Sequence, residues 1–471
     1  MLVYDPPRTA PPPAGSSALP VRRDPAGQLL FGPLPQQPSP CPHCVDARLA
    51  SNGRNFRHCQ PDQIDAGLGA MALARLTADP AKGAVLSFDE KGWQRHLVLP
   101  VPGCLCAKHW TPPSDLEPAT AVDPLVGLIA RLEDWQVPGF AGEPLTLAVS
   151  IPCRLTALGG LATIIDGAGF GLRDQARRAA TGETIERYCA SFVPDGLPVC
   201  RARDLGAEHL LPSHVPFGGA AIGADQPVRW VLGHRVIDGV PVWVQASAVY
   251  FPYRCHDREP PQSWGGSEGL AAGTDRHAAL VHATHEMLER DAFIRAWRFD
   301  GPRRPIPTPH GDRGLHLTRI DNRFGIPVVA AFIDGETPPL CSAGIAARAT
   351  EAEAVTAATH EALGAQALHR RFKADAQLSS EARRNHALDP SLRSARQAWQ
   401  RQSTAFRGPP PPASWTDLLL RLPDAVAVDV TTPDVRALGL TVLRVVIPGC
   451  HGSEPVMGVS RIGGNPLPTP F

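Results

Sequence analysis

One pattern recurs three times along this chain, and it limits the possible folds more than any other feature. A turn rich in glycine and alanine leads into an alanine-rich helix, which reaches an acidic residue 12–14 positions later. The copies are GAGFGLRDQARRAATGETIER (Gly167 to Arg187), GLAAGTDRHAALVHATHEMLER (Gly269 to Arg290) and AGIAARATEAEAVTAATHEAL (Ala343 to Leu363). Their acids are Glu183, Glu286 and Glu361. The first two copies add a second acid and an arginine, as Glu183-x-x-Glu186-Arg187 and Glu286-x-x-Glu289-Arg290. Positions i and i+3 share one helix face, so each pair aims two carboxylates the same way. Small residues before them, such as Ala176, Ala179 and Ala180, let the helix pack closely.

A single E-x-x-E-R is ordinarily a solvated helix face with local ion pairs. Two copies behind similar turns, with a third partial one, point instead to a shared site. Clustered carboxylates repel and need a cation, and an oxygen-only donor set favours Mg2+ over zinc. Mg2+ on carboxylates usually sits beside substrate phosphates, so a nucleotide is the natural companion. The turn Gly167-Ala-Gly169-Phe-Gly171 matches neither a P-loop nor a dinucleotide fingerprint. His282 and His285 lie near Glu286 without zincin spacing and read first as packing residues.

The rest of the composition narrows the setting. A chain of 471 residues predicts a large core plus at least one smaller unit. Basic and acidic residues balance at 46 each, which argues against nucleic acid or a membrane surface as the main partner. No uncharged apolar run approaches ~18 residues, so no membrane span is expected. MLVYDPPRTAPPPAG has neither a basic start nor an apolar stretch, so no secretory signal is expected. Eleven cysteines without such a signal fit a reducing, cytoplasmic setting and metal or structural thiols.

Along the chain, residues 1–30 read as a disordered proline-rich lead and 31–115 as a small cysteine-bearing unit. Cys106–Asp123 reads as a linker, and 119–471 as one large domain. Arg229–Val236 and Val240–Tyr250 read as strands flanking the hairpin signal Asp238-Gly239. Ile326–Ile333, Ala425–Val430 and Leu440–Ile447 also read as strands, and residues 374–415 as a solvent-facing insertion. Hairpins and helices interleave without a βαβ rhythm, so the expected class is α+β. In the small unit, Cys41-Pro-His-Cys44 and Cys104-Leu-Cys106 bracket a segment with little core. Four thiolates would close a structural zinc site there. Cys59 or His58 are alternative fourth ligands, and unliganded buried thiols the alternative to a metal.

The three repeated elements resemble the ATP-binding signatures of the YcaO superfamily, whose nucleotide and Mg2+ ligands come from Ser-x3-Glu, Glu-x2-Glu and Gln-x3-Glu motifs. Trp230–Tyr250 resembles the family's central hairpin, and Asp429–Gly449 its C-terminal strand pair, which would place Arg444 near the phosphates. The ending NPLPTPF resembles the PxPxP tail of the azoline-forming branch. The resemblance covers about residues 119–471. It implies a YcaO-type fold of mixed and antiparallel sheets with packed helices. The implied activity is ATP-dependent cyclodehydration of Cys, Ser or Thr in a ribosomally made precursor peptide, giving thiazoline or oxazoline through phosphorylation of the backbone amide oxygen. Glu183, Glu186, Glu286 and Glu289 would hold Mg2+ and nucleotide, with His282, Glu361 and Arg444 on the nucleotide. Pro466, Pro468, Pro470 and Phe471 would join the catalytic machinery. The motif serine falls on Ala179, the usual turn lysine on Phe170 and the motif glutamine on His282, changes that bear on nucleotide affinity more than on metal binding. FGPLPQQPSPCPHCVDARL resembles the zinc-bearing end of E1-like (ThiF-type) domains, here a remnant. The resemblance further implies a separate E1-like, leader-binding partner, an FMN-dependent azoline dehydrogenase and a homodimer. Thioamide or amidine formation, or a zinc-stabilised scaffold without catalysis, are the rival readings.

Overall fold

The computed structural model describes residues 19–452, except 35–39, 61–62, 80–82, 114–115, 140–141, 162–165, 207, 211–224, 261–265, 309–313, 372–389 and 405–407. Four antiparallel sheets and eight helices make up the described residues, an α+β architecture.

The first sheet takes β1 (Val21–Arg23), β2 (Leu29–Phe31), β3 (Arg57–His58), β4 (Ala84–Asp89) and β5 (Gly92–Leu97), in the order β3-β1-β2-β4-β5. Helices α1 (Pro42–Ser51) and α2 (Ala66–Ala78) belong to it. Its first strand lies within the stretch read from sequence as a disordered lead. That strand is short and polar because Arg22 fills its buried side, held by Asp46 at 2.5 Å and by the carbonyl of Gly32. The expected linker contains two short 3-10 turns, Leu105–His109 and Pro118–Ala121.

Three further sheets carry the repeated elements. The second is β6 (Ile129–Pro138), β7 (Pro144–Pro152) and β8 (Gly167–Gly171). The third joins β9 (Val199–Cys200), β10 (Val228–Arg235), β11 (Pro241–Gln245) and β12 (Leu270–Gly273) with β17 (Val426–Asp429) and β18 (Thr441–Val446), in the order β11-β10-β17-β18-β12 with β9 on β10. The fourth is β13 (Arg303–Ile306), β14 (Leu315–Ile320), β15 (Val328–Asp334) and β16 (Cys341–Ala347), in sequence order. The strands β8, β12 and β16 each stand at the edge of a sheet. Each runs into one long helix: α3 (Arg173–Ala190), α4 (Arg276–Arg298) or α5 (Glu351–Arg371).

The glycines and alanines of the repeats have a direct packing cause. A Cβ on Gly169 would lie 2.0 Å from the Ala176 carbonyl oxygen, and one on Gly344 would lie 2.3 Å from that of Ala358. Each helix therefore rests on bare strand backbone, which only small residues permit.

The hairpin at Asp238-Gly239 forms, with Gly239 at φ 75°. Its second strand ends at Gln245, short of Tyr250, because Ala246–Ala248 turns and sends Val249 and Tyr250 into the core. The segment read as a solvent-facing insertion is corrected in part. Helix α6 (Ser391–Arg401) buries Trp399, 6% exposed, against Phe293, Trp297 and Phe332. Arg396 of the same helix pairs with Asp334 at 2.6 Å. The short helices α7 (Trp415–Leu420) and α8 (Pro433–Ala437) complete the set.

Candidate nucleotide site and cysteine cluster

The acids of the three helices follow one rule. The leading acid of each motif accepts an N–H on or beside its own strand: Glu183 from Ala168 (2.7 Å), Glu286 from Gly269 (3.1 Å) and Glu361 from Ile345 (3.0 Å). The second acid reaches the next unit's edge strand: Glu186 accepts from Ala272 of β12 (2.8 Å) and Glu289 from Ala347 of β16 (3.1 Å). The recurrence in sequence is thus a handover in space, α3 to β12 and α4 to β16. The third motif has no second acid after Glu361. Gly364 stands three residues after Glu361, and a Cβ there would lie 2.9 Å from the Cβ of Phe170 on β8. The place where a third handover would close the ring is occupied by an aromatic ring packed edge-on to His360.

Glu268, a lone acid directly before the second turn, joins the set and was not singled out from sequence. It is 6% exposed, and its Oε2 accepts no hydrogen bond among the described residues. The only sequence signal was its place beside Gly269, too slight without knowing that the turn faces Glu286. Six carboxylates, Glu183, Glu186, Glu268, Glu286, Glu289 and Glu361, therefore share this region with Arg187, Arg290, Arg348 and Arg444. Arg187 pairs with Glu183 at 2.6 Å and donates to the Asp166 carbonyl, and Arg290 stands 3.8 Å from Glu289. The excess negative charge is met by retained protons. Burial, then the Glu286 charge, pushes Glu186 up to about 8. Burial, with Glu268 opposing Arg290, pushes Glu286 to about 7, and burial with Glu361 and Glu286 takes Glu289 to about 8. Carboxylates raised by burial and by one another's charge are a donor set that a divalent cation fits.

Arg444, expected near phosphates, lies at 1% exposure on β18. It donates to the carbonyls of Ala248 (3.1 Å) and Gly266 (3.0 Å). Burial lowers it to about 10, and the charges of Glu268 and Glu286 oppose that drop. His282 is exposed on α4, so it is not a core residue; its pKa is lowered by partial loss of ring hydration and then by Arg348. His285, one turn on, is pushed down to about 4 by the same causes. Ala179 is exposed on α3, and a Cβ on Gly169 would lie 2.8 Å from its own Cβ. Pro466, Pro468, Pro470 and Phe471 lie outside the described residues.

The two cysteine pairs meet. Sγ atoms of Cys41 and Cys44 are 3.8 Å apart, those of Cys41 and Cys104 3.8 Å, and those of Cys44 and Cys106 3.4 Å. Four sulfurs at ~2.3 Å from one tetrahedral zinc stand about 3.8 Å apart. Among the described residues this is the one group of three or more candidate ligands whose atoms all lie within 4.8 Å of one another. The alternative ligands are engaged elsewhere: His58 faces Asp46 at 3.3 Å, and Cys59 donates to the Arg57 carbonyl. The glutamates are more widely spread, and Glu183, Glu186, Glu286, Glu289 and Glu361 are each tethered to a backbone N–H. No helix among the described residues is long and apolar enough to cross a membrane.

The fold is one found in solved structures. A heterocyclase in complex with substrate and cofactor matches with a TM-score of 0.70 at 18% identity, covering 94% of this chain and 76% of that one. The YcaO protein from Methanopyrus kandleri, bound with AMPPCP and Mg2+, matches with a TM-score of 0.53 at 20% identity, over 72% and 91% of the two chains. An uncharacterised protein of Methanothermobacter thermautotrophicus is 25% identical over 338 residues, 63% of this chain and 84% of that one. The family model for YcaO cyclodehydratases, described as binding ATP and Mg2+, matches residues 168–451, and the chain belongs to the YcaO family.

Proposed function

We propose that this protein is an ATP-dependent cyclodehydratase that converts Cys, Ser or Thr residues of a ribosomally made precursor peptide into thiazolines or oxazolines. The observation that carries the reading is the carboxylate set on α3, α4 and α5, which backbone N–H groups at three sheet edges hold in one region. Glu183, Glu186, Glu286 and Glu289 would hold Mg2+, with Glu361 and His282 facing the nucleotide and Arg444 balancing charge from behind. Bound Mg2+ supplies a charge sink for the triphosphate. The substrate's own thiol or hydroxyl attacks the preceding amide carbon, and its proton leaves to solvent. The amide oxygen takes the γ-phosphoryl group of ATP and releases ADP. Phosphate then departs as the amide nitrogen gives up its proton and the ring C=N forms. The protein's part is to hold donor and acceptor in line and to keep the charges fixed.

Arg187 and Arg290 hold the carboxylates in place in this reading, and the backbone N–H groups of Ala272 and Ala347 orient Glu186 and Glu289. Cys41, Cys44, Cys104 and Cys106 would hold one structural zinc. A separate E1-like protein would deliver the leader of the peptide, and the family tail at Pro466–Phe471 would order the peptide side.

The test is turnover. Glu183→Gln and Glu286→Gln keep shape and remove one negative ligand each. ATP hydrolysis in the presence of peptide should fall by about two orders of magnitude or more, with the circular dichroism spectrum unchanged. Near-normal turnover in both would sink the assignment. Intact mass then separates the chemistries: a ring forms with loss of one water, whereas thioamidation exchanges oxygen for sulfur.

A further inference from the structure

Helix α1 carries Cys41 at its N-cap and Cys44 in its first turn, and one turn further on it carries Arg48. The guanidinium of Arg48 is completely buried. Its Nε donates to the Leu99 carbonyl (3.2 Å), and its Nη2 donates both to the Pro100 carbonyl (3.1 Å) and to Asp434 Oδ2 (2.6 Å). The first two bonds fix the segment leading to Cys104, where Val101 N–H donates to Cys44 Sγ at 3.3 Å. The third crosses to α8. There the same Oδ2 accepts the hydroxyl of Tyr188 at 2.6 Å, and Asp434 and Tyr188 are both fully buried. The guanidinium also lies 5.8 Å over the Tyr188 ring.

Tyr188 sits two residues beyond Glu186 and five beyond Glu183 on α3. Its side chain faces the core shared with the cysteine cluster, while Glu186 bonds the edge of β12. Next to it, Cys189 Sγ lies 3.5 Å from Thr432 Oγ1, so the last turn of α3 is pinned to the start of α8 at two points. A fully buried ion pair adds little stability over a well-packed apolar substitute. Here Arg48 even leaves its Nη1 without a hydrogen bond among the described residues. What this pair does supply is direction: one fixed setting of α3 relative to α1.

We propose that Arg48 is a positioning residue for the nucleotide site, which clamps Asp434 and through it Tyr188, so that α3 presents Glu183 and Glu186 in register with the edge of β12. The proposal rests on the functional reading above, because it assigns those glutamates to Mg2+ and nucleotide. A helix clamped at one face holds the residues of its other face to within a fraction of an ångström, the tolerance that a carboxylate site needs.

Two variants test it. Tyr188→Phe removes one hydroxyl and leaves the Arg48–Asp434 pair intact. The double variant Arg48→Met/Asp434→Asn removes both charges together, so that neither is left buried alone. Ser87→Ala, which breaks a buried Ser87–His96 hydrogen bond of 2.9 Å between β4 and β5, controls for general loss of stability. Affinity for Mg2+-AMPPCP is measured by calorimetry well below the melting temperature, alongside hydrogen exchange over residues 180–190. Tyr188→Phe should bind about tenfold more weakly, the size of one hydrogen bond to a charged group, and exchange faster from Glu183 to Tyr188. The double variant should do the same, and Ser87→Ala should keep full affinity. Wild-type affinity and exchange in Tyr188→Phe and the double variant would overturn the proposal. So would an equal loss of affinity in Ser87→Ala. If the wild type itself binds no Mg2+-AMPPCP, the functional reading fails. The clamp is then decided by exchange alone, with unchanged protection of α3 overturning it.

Discussion

Glu186, Glu286 and Glu289 hold protons at pH values where free glutamate has lost them, and this has a measurable sign. A carboxylate whose folded pKa exceeds its unfolded value binds more protons folded than unfolded between the two, so stability falls as pH rises through that window. With values raised from 4.5 to about 8, 7 and 8, the window runs from about 4.5 to about 8. His282, His285, His360 and His451 have lowered pKa values and act in the opposite sense below 6.5. The carboxylate effect therefore stands clear of the histidines between pH 6.5 and about 8, where the Cys41 thiol, lowered to about 7 by its hydrogen bond with Cys104, opposes it as one group against three. Without Mg2+ or nucleotide, the urea midpoint should drop across that range, and Glu186→Gln should flatten the drop. With Mg2+-AMPPCP bound the drop should vanish, because the cation replaces the protons. For the same reason, affinity should be higher at pH 8 than at pH 6.5, with protons released on binding. A midpoint that stays level or rises in the free protein would show that these carboxylates are already ionised.

At the scale of elements, the close seating of each helix on its strand predicts opposite outcomes for one substitution at two glycines of the same unit. Gly169→Ala puts a methyl 2.0 Å from the Ala176 carbonyl oxygen and 2.8 Å from the Ala179 Cβ, so α3 must lift from β8. The cost should be about 3 kcal/mol or more. Gly182 lies mid-helix with nothing within 4 Å of an added Cβ, so Gly182→Ala should gain about 0.5–1 kcal/mol. Urea denaturation of the two variants checks both signs. This is also where sequence was most informative. The spacing of Glu183, Glu186, Glu286, Glu289 and Glu361, and the small residues before them, reflect local helix geometry, and local geometry is legible in a chain. The strand partners Ala272 and Ala347 were not legible, because which sheet edge meets which helix is settled by packing between units far apart in sequence. Helix α6 was missed for a related reason. Trp399 is its one large buried apolar side chain, and its buried face is otherwise met by Leu392 and by Arg396 on Asp334, so its pattern reads as polar.

Across the whole molecule, the cysteine unit and the large domain look separable in sequence, since proline and polar residues crowd Cys106–Asp123. Composition records what a connector is made of, not what packs across it. One apolar core takes Cys44, Ala47, Leu99 and Val101 from the first part, and Ile185, Tyr188, Cys189 and Val249 from the second. Two polar latches cross the same boundary. Arg48 meets Asp434, and His96 is held between Ser87 (2.9 Å) and Asp123 (2.7 Å), whose other oxygen caps the N–H groups of Leu125 and Val126. Ser87 and His96 are buried and Asp123 is half-buried, so the Ser87–His96–Asp123 line serves as a latch. Residues 119–471 alone would lose Arg48 and leave Asp434 buried without its cation. They would also bare a core face that includes Ile185, Tyr188 and Val249. At ~1.5–3 kcal/mol for each large side chain, uncovering four or five costs roughly 6–15 kcal/mol, comparable to the entire stability of an ordinary domain. Expressed by itself, the 119–471 segment should therefore give no cooperative thermal transition and no Mg2+-AMPPCP binding, while the full chain gives both. Loss of the metal should have a milder form of the same effect. Metal analysis of the full chain should find about one zinc, and Cys44→Ser should lose it and lower the melting temperature. A truncated segment that melts cooperatively and binds nucleotide as tightly as the full chain would show that the shared core is dispensable, and that α3 keeps its setting without α1.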